Sequence, residues 1–162
     1  RDITGYTWYV GPIDRPAPIF FGDSLAEIER FLWDFLDRQE CDTPVRPFLL
    51  GVEQGAIMAL AAALAVPDLL SGVIAVDGAL PLVPGWDPPL APLDHLPILL
   101  VGDLETTKGH PSLQSTDLAR QLDLWGGRTA YVSPEIELDR EQSIRAWLAA
   151  QSPRTGYPPA VQ

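Results

Sequence analysis

The 162-residue sequence predicts an α/β domain: a parallel sheet of about four core strands with helices on its faces. Short apolar runs recur at residues 48–50, Gly72–Val76 and Pro97–Val101, a fourth strand is expected at Arg128–Val132, and helical stretches lie between them. The first of these runs lacks the apolar–polar alternation of a strand with one wet face, as expected of strands covered on both sides. Hydrophobic residues make up 46% of the chain and charged ones 20%, enough for a real core and too apolar for a disordered tail.

Taken in order, residues 6–10 form a short β-prone stretch, followed by a Pro-rich connection over 11–18. A helix is predicted from Ser24, with Glu27 three residues on as in a capping box. Its apolar face is Leu25, Ile28, Leu32, Phe35 and Leu36, with Arg30 and Arg38 elsewhere. The strand at 48–50 is ended by Gly51. Gln54–Ala65 has no polar face, which predicts a helix buried all round, stopped by Val66, Pro67 and Asp68. After the strand at Gly72–Val76 comes a Pro-laden loop over 81–92, then the strand at Pro97–Val101. The next helix runs from Thr116 to Trp125 and is ended by Gly126 and Gly127. The last begins after Asp139 as N-cap and presents Ile144, Trp147 and Leu148. Residues 1–150 are expected to form one domain, and the Pro-rich segment 151–162 a mobile tail.

Charge and composition exclude several function classes. Eleven basic against twenty-two acidic residues give a net charge of −11, which repels phosphate backbones and argues against a nucleic-acid partner. Cys41 is the one cysteine, so no internal disulfide is available. With only His95 and His110 beside it, no zinc-like ligand set and no cofactor is implied. The apolar run at 56–67 is too short to span a bilayer. No basic and then apolar leader opens the chain, and the compartment is not encoded in it. It opens on Arg1, as a fragment or a processed product does.

The most informative segment is Leu49-Leu50-Gly51-Val52-Glu53-Gln54-Gly55-Ala56, between a strand and a buried helix. It reads as a strand-to-helix elbow. Gly51 and Gly55 keep Cβ atoms out of the tight turn, and Glu53 between them projects above the sheet.

With Ile57-Met58-Ala59-Leu60 after it, and Pro67-Asp68-Leu69-Leu70-Ser71-Gly72-Val73-Ile74-Ala75-Val76 beyond, this segment resembles the phospholipase/carboxylesterase branch of the α/β hydrolases, which includes the acyl-protein thioesterases. The resemblance returns at the third strand and at Ile144-Arg145-Ala146-Trp147-Leu148, covering residues 20–150 in the right order. It implies the C-terminal part of an α/β-hydrolase-like fold, with the first strands of that fold absent from this chain. The family cleaves acyl esters and thioesters with a Ser, Asp, His triad. By resemblance, the serine position is Glu53, the acid falls on Glu105 or Asp103, and the histidine position falls on Pro134 of Ser133-Pro134. No histidine follows His110, and without imidazole nothing takes a nucleophile's proton.

The expected function is therefore a catalytically inactive, esterase-like domain used for binding or assembly. The alternative is a hydrolase of carboxylic or thio esters that uses Glu53 or a bound metal. Glu53 is expected to accept the Gln54 N–H at the helix start and so to fill the oxyanion position. Glu53, Asp77 and Glu105, at the carboxyl ends of adjacent strands, form the one conceivable cation site, though strand-end acids are usually just solvated. His95 and His110 read as loop residues, and Trp33, Trp86, Trp125 and Trp147 as packing. Cys41, between Glu40 and Asp42, sits in an acidic setting that disfavours a thiolate. An apolar strand at 48–50 with a neighbour on one side alone predicts a protein partner, or a missing N-terminal segment, completing the sheet there.

Overall fold

The computed structural model describes residues 7–12, 15–102, 115–132 and 140–158. Four strands, β1 (Phe48–Val52), β2 (Gly72–Val76), β3 (Pro97–Val101) and β4 (Arg128–Val132), form one sheet in the order β1-β2-β3-β4. All pairings are parallel, with Phe48 opposite Gly72, Val73 opposite Ile98 and Pro97 opposite Arg128. Helices α1 (Pro18–Asp37), α2 (Gln54–Ala65), α3 (Ser115–Leu124) and α4 (Arg140–Ala149) pack on it, giving the α/β-hydrolase-like layering.

The apolar pattern explains the layers. Every residue of β2 and β3 is buried, as their unbroken hydrophobic runs require. On one face Leu60, Ala63 and Leu64 of α2, Leu32 and Leu36 of α1, and Leu118 and Leu122 of α3 share a core with Val73, Ala75, Ile98 and Leu100. On the other face Ile144, Trp147 and Leu148 of α4 pack on Ile74, Val76, Leu99 and Val101. Residues 56–64 of α2 are all buried, because side chains of alanine size let sheet and helices close around it. Gly72 is required by packing: a Cβ there would lie 2.7 Å from the Phe48 ring and 2.8 Å from the Pro97 carbonyl oxygen.

Several local expectations are corrected. α1 starts at Pro18, with proline in its first turn and Ala17 as an N-cap that makes no side-chain bond. Ser24 lies a turn and a half inside it and donates its hydroxyl proton to the Trp8 carbonyl. Residues 7–10 are not a strand; Tyr9 is buried and Trp8 half exposed. The buried stripe of α1 is narrower than its apolar spacing suggests, with Leu32 and Leu36 inside and Phe31 and Phe35 59% and 39% exposed. β1 runs through Gly51 to Val52.

The Pro-rich segment after Gln151 is hydrogen-bonded to the chain entering β1. Arg154 N–H donates to Ser71 Oγ at 2.7 Å, Arg46 N–H to the Arg154 carbonyl at 2.9 Å and Gly156 N–H to the Pro44 carbonyl at 2.9 Å. Thr155 bridges Val45 in antiparallel sense, and Arg46 Nε donates to the Gly156 carbonyl at 3.0 Å. Ser71, the buried polar residue at this junction, gives its own proton to the Arg46 carbonyl at 2.7 Å.

Candidate active site

The carboxyl ends of β1, β2 and β3 terminate in the same way. Glu53, Asp77 and Gly102 each follow a final valine, and each donates its N–H to the next strand: Glu53 to Val76 at 2.9 Å, Asp77 to Val101 at 2.9 Å and Gly102 to Val132 at 3.2 Å. Each then turns off the sheet with a positive φ, of 52°, 52° and 111° respectively. For the two acidic residues this conformation costs roughly 1–2 kcal/mol apiece, strain held by the ladder bonds on one side and the following turn on the other.

At Glu53 the chain reverses from β1 into α2, with φ 52° and ψ −114°. Its carbonyl accepts the N–H groups of Ala56 at 3.0 Å and Ile57 at 3.2 Å. The elbow is tight enough that a Cβ on Gly51 would lie 2.1 Å from the Gly55 carbonyl oxygen. Gly55 is under less constraint, since a Cβ there would meet Trp8 Nε1 at 3.6 Å, an ordinary contact. Glu53 is exposed and makes no side-chain bond to the helix start, contrary to the capping role expected of it. A capping side chain needs an extended N-cap backbone, and a positive φ aims the carboxylate away from the helix N–H groups.

Gln54 holds a strap over this elbow. Its Oε1 accepts the Trp8 N–H at 2.8 Å and the Thr7 hydroxyl at 2.7 Å, and its Nε2 donates to the Tyr9 carbonyl at 3.0 Å. The elbow opens into a groove of about 460 Å³ lined by Trp8, the end of β1 and residues 53–55.

Asp77 faces the N-terminus of α4. Its Oδ2 accepts from Arg140 Nη1 at 2.8 Å. Its Oδ1 fills the space where a Cβ on Gly102 would lie, 2.0 Å away, so glycine at 102 is what admits the carboxylate. Tyr131 closes the same corner by donating its hydroxyl to the Gly102 carbonyl at 3.1 Å. Glu105, Asp103, Ser133, Pro134 and His110 lie outside the described residues. Among the described residues no three His, Cys, Asp or Glu side chains gather as a metal-ligand group. The Asp77 carboxylate already has a cationic partner in Arg140, which sequence reasoning missed because 63 residues separate the two.

The remaining described candidate lies far from this edge. His95 is exposed in the loop before β3, with φ 56°, and its N–H donates to the Gly126 carbonyl at 2.8 Å. That is the amino end of the strand, about 16 Å from the carboxyl end at 3.3 Å per residue. Cys41 is exposed in the chain leading to β1. No helix among the described residues is long and apolar enough to cross a membrane.

Residues 38–102, from the end of α1 through β3, match the phospholipase/carboxylesterase family profile. No curated protein sequence matches the chain. Solved carboxylesterases share the fold. The carboxylesterase from Mesorhizobium loti superposes with a TM-score of 0.68 at 17% identity, over 93% of this chain and 71% of that one. For the Bacillus cereus carboxylesterase the values are 0.57, 14%, 81% and 60%. For Arabidopsis thaliana SOBER1 they are 0.59, 15%, 88% and 72%. At such identities the likeness is one of fold.

Proposed function

From an α/β-hydrolase-like fold with a phospholipase/carboxylesterase match over residues 38–102, we propose that this chain is a catalytically silent relative of the esterases that serves as a binding or assembly subunit. The observation that carries this reading is the elbow. Its backbone is the strained strand-to-helix turn that presents a nucleophile, with φ 52° and ψ −114°, and the residue it presents is Glu53. A carboxylate is a weak nucleophile toward an ester without an imidazole to activate water for the second step. The chain has histidine at positions 95 and 110 alone, and Pro134 stands where the resemblance puts the base. The same reading keeps a partner, or a further segment of polypeptide, beside β1.

Hydrolysis of p-nitrophenyl esters and of an acyl thioester by the purified chain tests it. The expected result is no turnover above buffer, for the parent and for Glu53→Ala alike. Turnover that survives purification and disappears in Glu53→Ala overturns the proposal.

A second reading draws on the freedom of the Glu53 side chain, exposed and uncapped over a groove of about 460 Å³. In it Glu53 attacks the substrate directly or holds a metal-bound water. It requires a covalent adduct on Glu53 detectable by intact mass, or activity that a chelator removes.

A further inference from the structure

Residues 154–157 lie in a slot at the amino end of the sheet, and the polar groups of the two sides match. Thr155 bridges Val45 in antiparallel sense, with Arg46 N–H donating to the Arg154 carbonyl and Gly156 N–H to the Pro44 carbonyl, both at 2.9 Å. Arg154 N–H donates to Ser71 Oγ at 2.7 Å, and the Arg154 guanidinium to the Asp94 carbonyl. Arg46 lays its side chain along the segment, Nε donating to the Gly156 carbonyl at 3.0 Å and Nη2 to the Tyr157 carbonyl at 3.2 Å. The Tyr157 hydroxyl ends the row on the Asp37 carboxylate. Gly156 has φ 85°, which suits glycine, although a Cβ there would meet nothing within 4 Å. The pattern the slot reads is therefore Arg-x-Gly-Tyr in an extended chain.

The slot itself is held without the segment. Gln39 binds both peptide groups of Val45, Oε1 accepting its N–H and Nε2 donating to its carbonyl, each at 2.8 Å. Buried Ser71 has its N–H on the Pro47 carbonyl at 2.8 Å and its hydroxyl proton on the Arg46 carbonyl at 2.7 Å, which leaves its oxygen free to accept an incoming N–H. The segment is held less firmly. Ser152, Pro153 and Thr155 are exposed, and the guanidinium groups of Arg46 and Arg154 repel one another, with Asp68 the offsetting carboxylate, so no ion pair locks it in place. We propose that this is a peptide-binding slot, occupied in cis by residues 154–157, which takes an extended Arg-x-Gly-Tyr segment of another protein when its own lets go. Tethering gives the cis segment an effective concentration on the order of millimolar, so a segment in trans has to outbind it or find it disabled. A second copy is a poor source, because the Ser152-Pro153 link spans about 7 Å at most and keeps each segment in its own slot. The slot lies at the opposite end of the strands from Glu53, and ester turnover bears on the elbow alone.

The probe is a fluorescently labelled peptide, Ser-Pro-Arg-Thr-Gly-Tyr-Pro with blocked ends, titrated with the dilute full chain and read by anisotropy. Gly156→Val disables the cis segment and leaves the slot untouched, because valine resists φ 85°. The peptide is expected to bind Gly156→Val at least about tenfold more tightly than the parent, whose own segment competes. A peptide with valine in place of its glycine should bind the same variant at least about tenfold more weakly. Amide hydrogen exchange in the parent is a second measurement that needs no variant. The Arg46, Arg154 and Gly156 amides should exchange together, through an opening that costs less than global unfolding, while the Val45 and Ser71 amides stay protected. Equal affinity for parent and variant overturns the proposal. So does exchange of all five amides by global unfolding alone, which makes the segment a fixed part of the fold. So does a dimer of the parent with exchanged segments, which assigns the slot to a second copy.

Discussion

Asp77 Oδ2 accepts a 2.8 Å hydrogen bond from Arg140 Nη1, joining the end of β2 to the first turn of α4 across the carboxyl edge of the sheet. The two side chains are 30% and 47% exposed. Solvent therefore screens the pair, and its contribution is about 0.5–1 kcal/mol, shrinking with salt. A double-mutant cycle of Asp77→Asn and Arg140→Ala, followed by urea unfolding at low and high salt, measures it. A coupling energy above about 2 kcal/mol, insensitive to salt, would contradict this account.

The two glycines of the elbow should respond in opposite directions. Gly51→Ala places a Cβ 2.1 Å from the Gly55 carbonyl oxygen, where backbone rather than a flexible side chain must give way. The cost is expected at about 3 kcal/mol or more. Gly55→Ala brings a contact of 3.6 Å in the first turn of α2 and no positive φ to violate. It should stabilise by about 0.5 kcal/mol through lower chain entropy in the unfolded state. Denaturant midpoints of the two variants decide the matter.

The contrast between those glycines bears on what the sequence made legible. The bounds of β2, β3 and α2 follow from uninterrupted apolar runs, because burial on both faces leaves no other reading of Val-Ile-Leu-Ala stretches. The elbow was legible from Gly51 and Gly55, yet only Gly51 is sterically required. Ser24 and Glu27 imitate a capping box inside α1, where Ser24 instead reaches the Trp8 carbonyl 16 residues back; tertiary contact overrode a local signal. The Asp77–Arg140 pair and the Gln54 strap depend on how distant segments meet, so no local pattern announces them.

Gln54→Ala should loosen residues 7–9 and leave the sheet intact. It removes acceptors for Thr7 and Trp8 and a donor to Tyr9 in one substitution, at partly exposed positions. The expected loss is about 1–2 kcal/mol. Limited proteolysis should show faster cleavage near residues 7–12, with far-ultraviolet circular dichroism unchanged. A change in helical signal would mean that the strap supports α2 itself.

High pH should weaken the junction between the segment 151–158 and the end of α1. Partial burial of Tyr157, and then the Asp37 carboxylate beside it, push its phenol above the ordinary value. A raised pKa in the folded state means that ionisation is resisted there. The contribution is fully present below the unfolded value near 10 and is lost as pH rises through the higher folded value. Stability should fall more steeply above about pH 10 in the parent than in Tyr157→Phe. Identical slopes would show that Tyr157 ionises as freely in the folded chain as in the unfolded one.

The isolated chain is expected to aggregate without fixed stoichiometry, and the edge of β1 is the place to stop it. Leu50 and Val52 are 55% and 53% exposed on a strand that pairs on one side alone among the described residues, with Phe31 at 59% and Trp8 at 45% exposed. A flat apolar edge of this kind templates further strands, and lysine is the residue that blunts it. Neither side chain is in the core, so Leu50→Lys and Val52→Lys should each change folding stability by about 0.5 kcal/mol or less. They should nonetheless raise the concentration at which the chain stays monomeric by about tenfold or more. Sedimentation velocity over a concentration series, with calorimetry on the same samples, measures both quantities. A parent chain that sediments as one monodisperse monomer and melts cooperatively at high concentration would show that the β1 edge is not adhesive, and the lysine variants would then have nothing to correct.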